Sequence, residues 1–432
     1  MNQDIAALAF PALVSLAIDP LMSLVDTFYV GQTGAEGLAA LGLNAFIFSF
    51  SFYLFNFFAT VPTPLVASSL AAGDQEAANR ILGQLITLAL GIGSLLMVVL
   101  EVGSSEFLSV MGANADTMGP AKAYLTTRAL AAPAVLLISV GNGAFRGMLD
   151  TKTPLLLAIA ANLINFILDP VLIFGLDLGA QGAAAATVTA EWFAALTFLA
   201  LLRGKGISAR FEAPVWEQVS PLVVASSAVF LRTVSLQAVL TTASAFAART
   251  GEASIAAHQL ASQLWLLLSF VMDALAVASQ GLVADSLGKQ DLSRARQVGL
   301  RTLLMGLGCG IVLLGGFTLL GADFPRLFTS DAAVLSATAP LITLVGLMQP
   351  LNAYVFVGDG VLQGSLDFVY EACCMAGSAG LAGLWIVNQG HDLAHVWLGL
   401  LLLQSMRAVT FSYRFFLDPT APLATNKAAD DS

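Results

Sequence analysis

Residues 133–150 read PAVLLISVGNGAFRGMLD, and residues 350–367 read PLNAYVFVGDGVLQGSLD. Laid side by side at an offset of 217, Pro133 falls on Pro350, Gly143 on Gly360, Gly147 on Gly364 and Asp150 on Asp367. Without a gap, the same offset pairs Gly34 with Gly251, Ala39-Ala40 with Ala256-Ala257, Ser69-Leu70 with Ser286-Leu287, and Asp74 with Asp291. Ala and Leu coincide by chance between apolar sequences. Pro, Gly and Asp holding one register from Gly34 to Asp150 do not. The chain is a duplication.

The composition says what kind of unit is duplicated. Of 432 residues, 57% are hydrophobic and 11% charged, against about 25% charged in soluble chains, and the mean hydropathy is +0.83. Such a chain cannot cover itself with polar surface and reads as an integral membrane protein. That excludes a soluble enzyme, a nucleic-acid-binding module and a secreted disulfide scaffold. Cys309, Cys373 and Cys374 all lie in apolar runs. At roughly 20 residues per crossing, continuous apolar runs place spans at 5–30, 36–71, 80–102, 119–148, 153–175 and 180–202, then at 219–249, 253–286, 292–320, 334–364, 366–388 and 393–416. The expected fold is all-α: twelve transmembrane helices in two pseudo-symmetric six-helix bundles. Six is an even number, so both copies enter the membrane in the same direction, a parallel repeat of the kind that places substrate between two transporter halves. The expected boundaries are a first lobe at 1–205, a linker at 206–218, a second lobe at 219–418 and a tail at 419–432. No cleavable signal peptide is expected, because the first apolar run is too long and carries Asp19 and Asp26.

Lys and Arg orient the chain. Twelve loop or tail positions, Arg80, Arg146, Lys152, Arg203, Lys289, Arg414 and Lys427 among them, fall on one side, and only Lys122, Arg249 and Arg326 on the other. The bias predicts both termini in the cytoplasm. The matched register also predicts that Arg146, Asp150, Asp291 and Asp367 tie cytoplasmic loops at equivalent places.

An ionisable group in mid-membrane costs about 2.5–3.5 kcal/mol on insertion scales and needs a reason. The first lobe holds Asp19, Asp26, Asp169 and Glu191 within spans. Asp19 and Asp26 are seven apart and share a helix face; Asn165 and Asp169 are four apart and share another. At 1.5 Å per residue Asp26 lies roughly 30 Å and Asp169 roughly 24 Å from the cytoplasmic side, so the two acids reach a similar depth and can share a cavity. Two carboxylates in one buried cavity share protons rather than both ionising. The plainer reading makes them inter-helix hydrogen-bond partners. At the offset of 217, Asp26, Asn165 and Asp169 fall on Ala243, Ala382 and Ile386, whereas Asn56 and Asn142 fall on Asp273 and Asp359. The acids are therefore placed asymmetrically. Arg232 is roughly 20 Å deep and either pairs with a buried acid or draws anions into a cavity; Arg407 is placed to snorkel toward Arg414. Asp19, Glu191, Arg232, Asp273 and Asp359 are candidate substrate-cavity residues. His391 and His395 are four apart with no third ligand, so no metal site is expected. No phosphate-binding Gly loop is present, so no ATPase motor is expected.

Val25-Asp26-Thr27 with Gly31, Arg146-Gly147 with Asp150-Thr151-Lys152-Thr153-Pro154, and Ala256-Ala257-His258-Gln259 together resemble the multidrug and toxic compound extrusion (MATE) family. The segments Gln280 to Gly288 and Asp359-Gly360 resemble its DinF-like branch, which includes plant organic-acid exporters. The resemblance implies a secondary exporter, with Asp26, Asn165 and Asp169 matching the positions that couple transport to H⁺ or Na⁺. It implies no organic cofactor. The expected partners are a small organic substrate and membrane lipid, with no nucleic acid, and the chain is expected as a monomer in a plasma membrane or plastid envelope. An organic-anion exporter and a lipid-linked substrate flippase are the related alternatives. An intramembrane aspartyl protease is disfavoured: Gly358-Asp359 follows Phe356-Val357, and no Tyr-Asp pair occurs.

Overall fold

The computed structural model describes residues 1–207, 216–320 and 324–424. Arg210 of the expected linker and Lys427 of the expected tail lie outside these, and so does the side chain of Asp19. Every regular element among the described residues is helical. In chain order they are α1 (Asn2–Gly31), α2 (Ala35–Leu54), α3 (Phe57–Thr60), α4 (Pro62–Ala71), α5 (Gln75–Val102), α6 (Ser104–Val110), α7 (Ala115–Ala129), α8 (Ala132–Gly147), α9 (Lys152–Pro170) and α10 (Gly179–Gly204). There follow α11 (Trp216–Arg249), α12 (Glu252–Gly288), α13 (Leu292–Leu320), α14 (Ala332–Gly364), α15 (Phe368–Gln389) and α16 (Leu393–Ser412). Among the described residues, eleven helical segments are long and apolar enough to cross a membrane, and the bent pair α7 with α8 makes a twelfth. Two compact units form: Phe10–Val223, and Val224–Ser432 with Met1–Ala9.

The duplication extends to backbone and contacts. Left-handed φ angles recur at Gly34 and Gly251 (116° and 123°), at Gly73 and Gln290 (77° and 60°), and at Leu149 and Leu366 (56° and 61°), each pair 217 apart. A Cβ on Gly143 would come within 2.6 Å of the Ala59 carbonyl, and one on Gly360 within 2.4 Å of the Ala276 carbonyl. One on Gly93 would strike Pro133, and one on Gly310 would strike Pro350. These glycines let helix backbones touch within each lobe, the packing that small residues allow between membrane helices. Asp74 Oδ1 caps α5 by accepting from the Ala77 N–H at 2.8 Å, and Asp291 Oδ1 caps α13 through Arg294 at 2.8 Å. Asp150 caps α9 through the Lys152 and Thr153 N–H groups at 3.1 and 3.0 Å. Its counterpart Asp367 instead accepts two hydrogen bonds from Arg414, at 2.6 and 3.1 Å.

Two expected first-lobe spans are not straight. The run at 36–71 is divided into α2, α3 and α4; the second break, at Val61, comes just before Pro62 and Pro64, which offer no N–H to the preceding turn. Their counterparts Ser279 and Gly281 lie in the unbroken α12. The run at 119–148 bends by 46° between α7 and α8, just before Pro133, while Pro350 sits inside the continuous α14.

Candidate functional site

A cavity of about 760 Å³ opens within the first unit, lined from α1, α2, α7, α8, α9 and α10. Asp26 and Asn165 line it, with Asn142, Asn162, Thr187, Tyr124, Phe48, Phe52 and Phe198. Asp169, one turn beyond Asn165, is fully buried. Asn165 Nδ2 donates to Asp169 Oδ1 at 3.5 Å and to Thr187 Oγ1 at 3.3 Å. The Asp26 and Asp169 carboxyls lie within hydrogen-bonding reach of each other, yet Asp26 Oδ1 and Asp169 Oδ2 are buried with no described donor. Neighbouring acceptors left this way need a donor or a cation, and a proton shared by the two carboxyls supplies one.

The local fold sets this pair. Tyr29, three residues beyond Asp26, packs on Phe166 and Phe174 with ring centroids 6.0 and 6.4 Å apart, holding α1 against α9 and the turn that follows. After Asp169-Pro170 the chain widens into a π-turn, Val171–Gly175, in which the Leu176 N–H donates to the Val171 carbonyl five residues back. Such turns recur at functional positions in helices.

Glu191 lines the same cavity, paired with Arg128 through two hydrogen bonds of 2.5 and 2.7 Å. With every described group ionised, three acids (Asp26, Asp169, Glu191) face one base, Arg128. The counterparts of Asp26, Tyr124, Arg128, Asn165 and Asp169 in the second lobe are Ala243, Leu341, Val345, Ala382 and Ile386, all inside one apolar core with Trp265 and Trp397. One lobe is hollow and acidic where the other is filled.

Of the candidate cavity residues, Arg232 and Asp359 do not join this site. They sit in the second unit, where Arg232 of α11 and Arg407 of α16 both donate to Asp359 Oδ2 of α14. Arg232 Nε also meets Glu371 Oε1 of α15 at 2.6 Å, and Gln363 donates to that same oxygen at 2.9 Å. Arg407 extends the network to Gln404 at 2.6 Å, and Gln404 reaches Asn352 at 2.9 Å. Arg407 is 5% exposed, so it does not snorkel: Asp359 holds it in the interior. Asp273 is half-buried on α12. Sequence reasoning missed Glu371, four residues past Asp367, because an acid so near a span's start reads as interfacial; the unplaced charge of Arg232 was the signal for it.

A helical chain with eleven to twelve apolar spans among its described residues, folded as two copies of one unit with an acidic cavity in the first, is a polytopic membrane transporter of the two-lobed kind. The MatE family model matches residues 11–171 and again 228–386, two matches that begin 217 residues apart, and the chain belongs to that family. It is 34% identical to Protein DETOXIFICATION 44, chloroplastic, of Arabidopsis thaliana, over 96% of this chain and 82% of the relative. It is 26% identical to DNA damage-inducible protein F of Escherichia coli (strain K12), over 94% of this chain and 90% of the relative. A crystal structure of a MATE protein in the bent conformation superposes with a TM-score of 0.87 at 20% identity, covering 95% of this chain and 94% of the other. The protein is a multi-pass membrane transporter of the multidrug and toxic compound extrusion family, not an enzyme.

Proposed function

We propose that the protein is a secondary active exporter of positively charged organic molecules, working by alternating access of its two lobes and driven by inward flow of H⁺ or Na⁺ at Asp26 and Asp169. The observation that carries this reading is the carboxyl pair at the first-lobe cavity, two facing acceptors with no described donor between them. Ionised, the pair attracts a cationic substrate; neutralised by the coupling ion from outside, it lets the substrate go. Coupling needs this exclusion, because a ligand with equal preference for both states shifts nothing. Two carboxyls in mutual hydrogen-bond reach favour a proton as the ion that fits between them. An organic-anion substrate is less well supported: Arg232 is engaged by Asp359 and Glu371.

The Lys and Arg bias supports termini on the cytoplasmic or stromal side. The chloroplastic relative supports a plastid envelope, and the bacterial one a cell membrane. Everted vesicles test the reading, with a cationic dye and citrate offered at several pH values with and without Na⁺. Gradient-dependent uptake of the dye, uncompeted by citrate, is the expected result. Citrate uptake alone would overturn the substrate class, and uptake indifferent to both ions would overturn secondary coupling.

A further inference from the structure

Arg128 and Glu191 pair with each other at the cavity wall through two hydrogen bonds rather than with the two coupling acids. Their helices α7 and α10 are already joined by Gln181 Nε2 donating to Thr127 Oγ1 at 3.1 Å and by Trp192 Nε1 donating to the Leu130 carbonyl at 3.0 Å. At the matching positions the second lobe carries Val345 and Ala408. Exchanging a buried ion pair for apolar residues is often neutral or stabilising, so the pair's presence at a cavity wall calls for a ligand.

The geometry points to Arg128 as a specificity-determining residue that receives the oxyanion of an amphoteric substrate, one bearing both a cationic amine and a carboxylate. The inference rests on the export reading above. Arg128 Cζ lies 5.5 Å from the Phe48 ring centroid and 5.9 Å from that of Phe52. The guanidinium is thus seated among aromatic rings, and Glu191 uses two of its five N–H donors. A fixed guanidinium at a cavity wall is suited to a planar carboxylate. Glu191 occupies that position as the chain's own carboxylate, and the substrate's exchanges with it. The amine then faces Asp26 across a space whose volume, about 760 Å³, is of the size that takes drug-like ligands. Arg128 keeps its charge at every physiological pH. It therefore sorts substrates, while the acids release them.

Two dyes differing only in this group make the test: rhodamine 110, with a free carboxyl, and its methyl ester rhodamine 123. Binding is read by fluorescence polarisation on the full chain in nanodiscs. The wild type is expected to prefer the free acid. In the double variant Arg128→Gln/Glu191→Gln, which removes one charge of each sign and leaves the cavity's net charge unchanged, that preference falls by about tenfold or more, the loss of one charge-assisted contact. In Glu191→Gln alone, with the internal competitor neutral, the preference rises. A wild type that prefers the ester, or a ratio unchanged in both variants, overturns the inference. Proteoliposome export separates this from the parent reading. Dyes that sort as described but follow no ion gradient would sink the export reading alone, whereas gradient-driven export indifferent to Arg128 would sink this inference alone.

Discussion

At the scale of single residues, identical chemistry has opposite consequences in the two lobes. Asp26 and Asp169 each keep one buried oxygen that no described donor reaches, whereas Asp359 is held by two guanidiniums. Removing the charge from Asp359 therefore leaves Arg232 and Arg407 short of their shared acceptor, and breaking such a buried network costs about 3–5 kcal/mol. Asp359→Asn is expected to show a clearly lowered melting temperature in detergent, and Asp26→Asn none. Equal thermal stability of Asp359→Asn and wild type would contradict that assignment. Asp26, Asn165 and Asp169 were legible in the sequence because polar groups inside an apolar run stand out and share a depth. The roles of Arg407 and Glu371 were not. A charge near a span's end looks interfacial until helix packing brings a partner to it, and that partner lies far off in the chain.

At the scale of elements, the glycines that bring helices into contact divide cleanly from those that do not. Gly143→Ala and Gly360→Ala place a methyl against a neighbouring carbonyl and should each cost about 1–3 kcal/mol by overpacking. Gly91 and Gly308, also 217 apart, have nothing within 4 Å, and their Ala variants should be at least as stable as wild type by thermal unfolding. Asp150→Ala removes a helix cap and should cost about 1 kcal/mol while leaving transport intact; loss of transport at normal folding and surface level would refute a purely structural Asp150. Beyond α16, Arg414 and Asp418 pair at 2.5 Å, and Arg296 donates to the Phe415 and Leu423 carbonyls at 3.2 and 2.6 Å. Thr420, through its hydroxyl and backbone N–H, and then Arg414 hold the Asp418 carboxyl down at about 2. A carboxyl held low stabilises the fold above its unfolded value near 3.9 and loses that contribution as pH falls through about 2. Pepsin should therefore spare residues 413–424 at pH 4 and cut them increasingly as pH approaches 2, whereas Asp418→Asn should be cut at both. Helix number and order were readable from apolar runs and turn residues. Prolines mark where a span can break, at Pro62 and at Pro133, but not which of them does: Pro350 holds the register of Pro133 and sits inside a continuous helix.

At the scale of the whole molecule, duplication followed by divergence accounts for the chain's plan. The second copy kept the shared glycine contacts and turn conformations but filled the place of the acidic cavity with an apolar core. It gathered its own charges into a network of two bases and two acids, neutral when all are ionised. In the proposed mechanism, ion coupling resides in the first lobe, at Asp26 with Asp169. Asn has the shape of a protonated Asp without its charge, so Asp26→Asn fixes the site in its discharged form. The direct measurement is export of a cationic dye from proteoliposomes under an imposed pH or Na⁺ gradient, comparing wild type with Asp26→Asn and Asp169→Asn at equal amounts of folded protein. Both variants should bind the cationic dye more weakly than wild type and lose gradient-driven export, and full export by Asp26→Asn would contradict the claim.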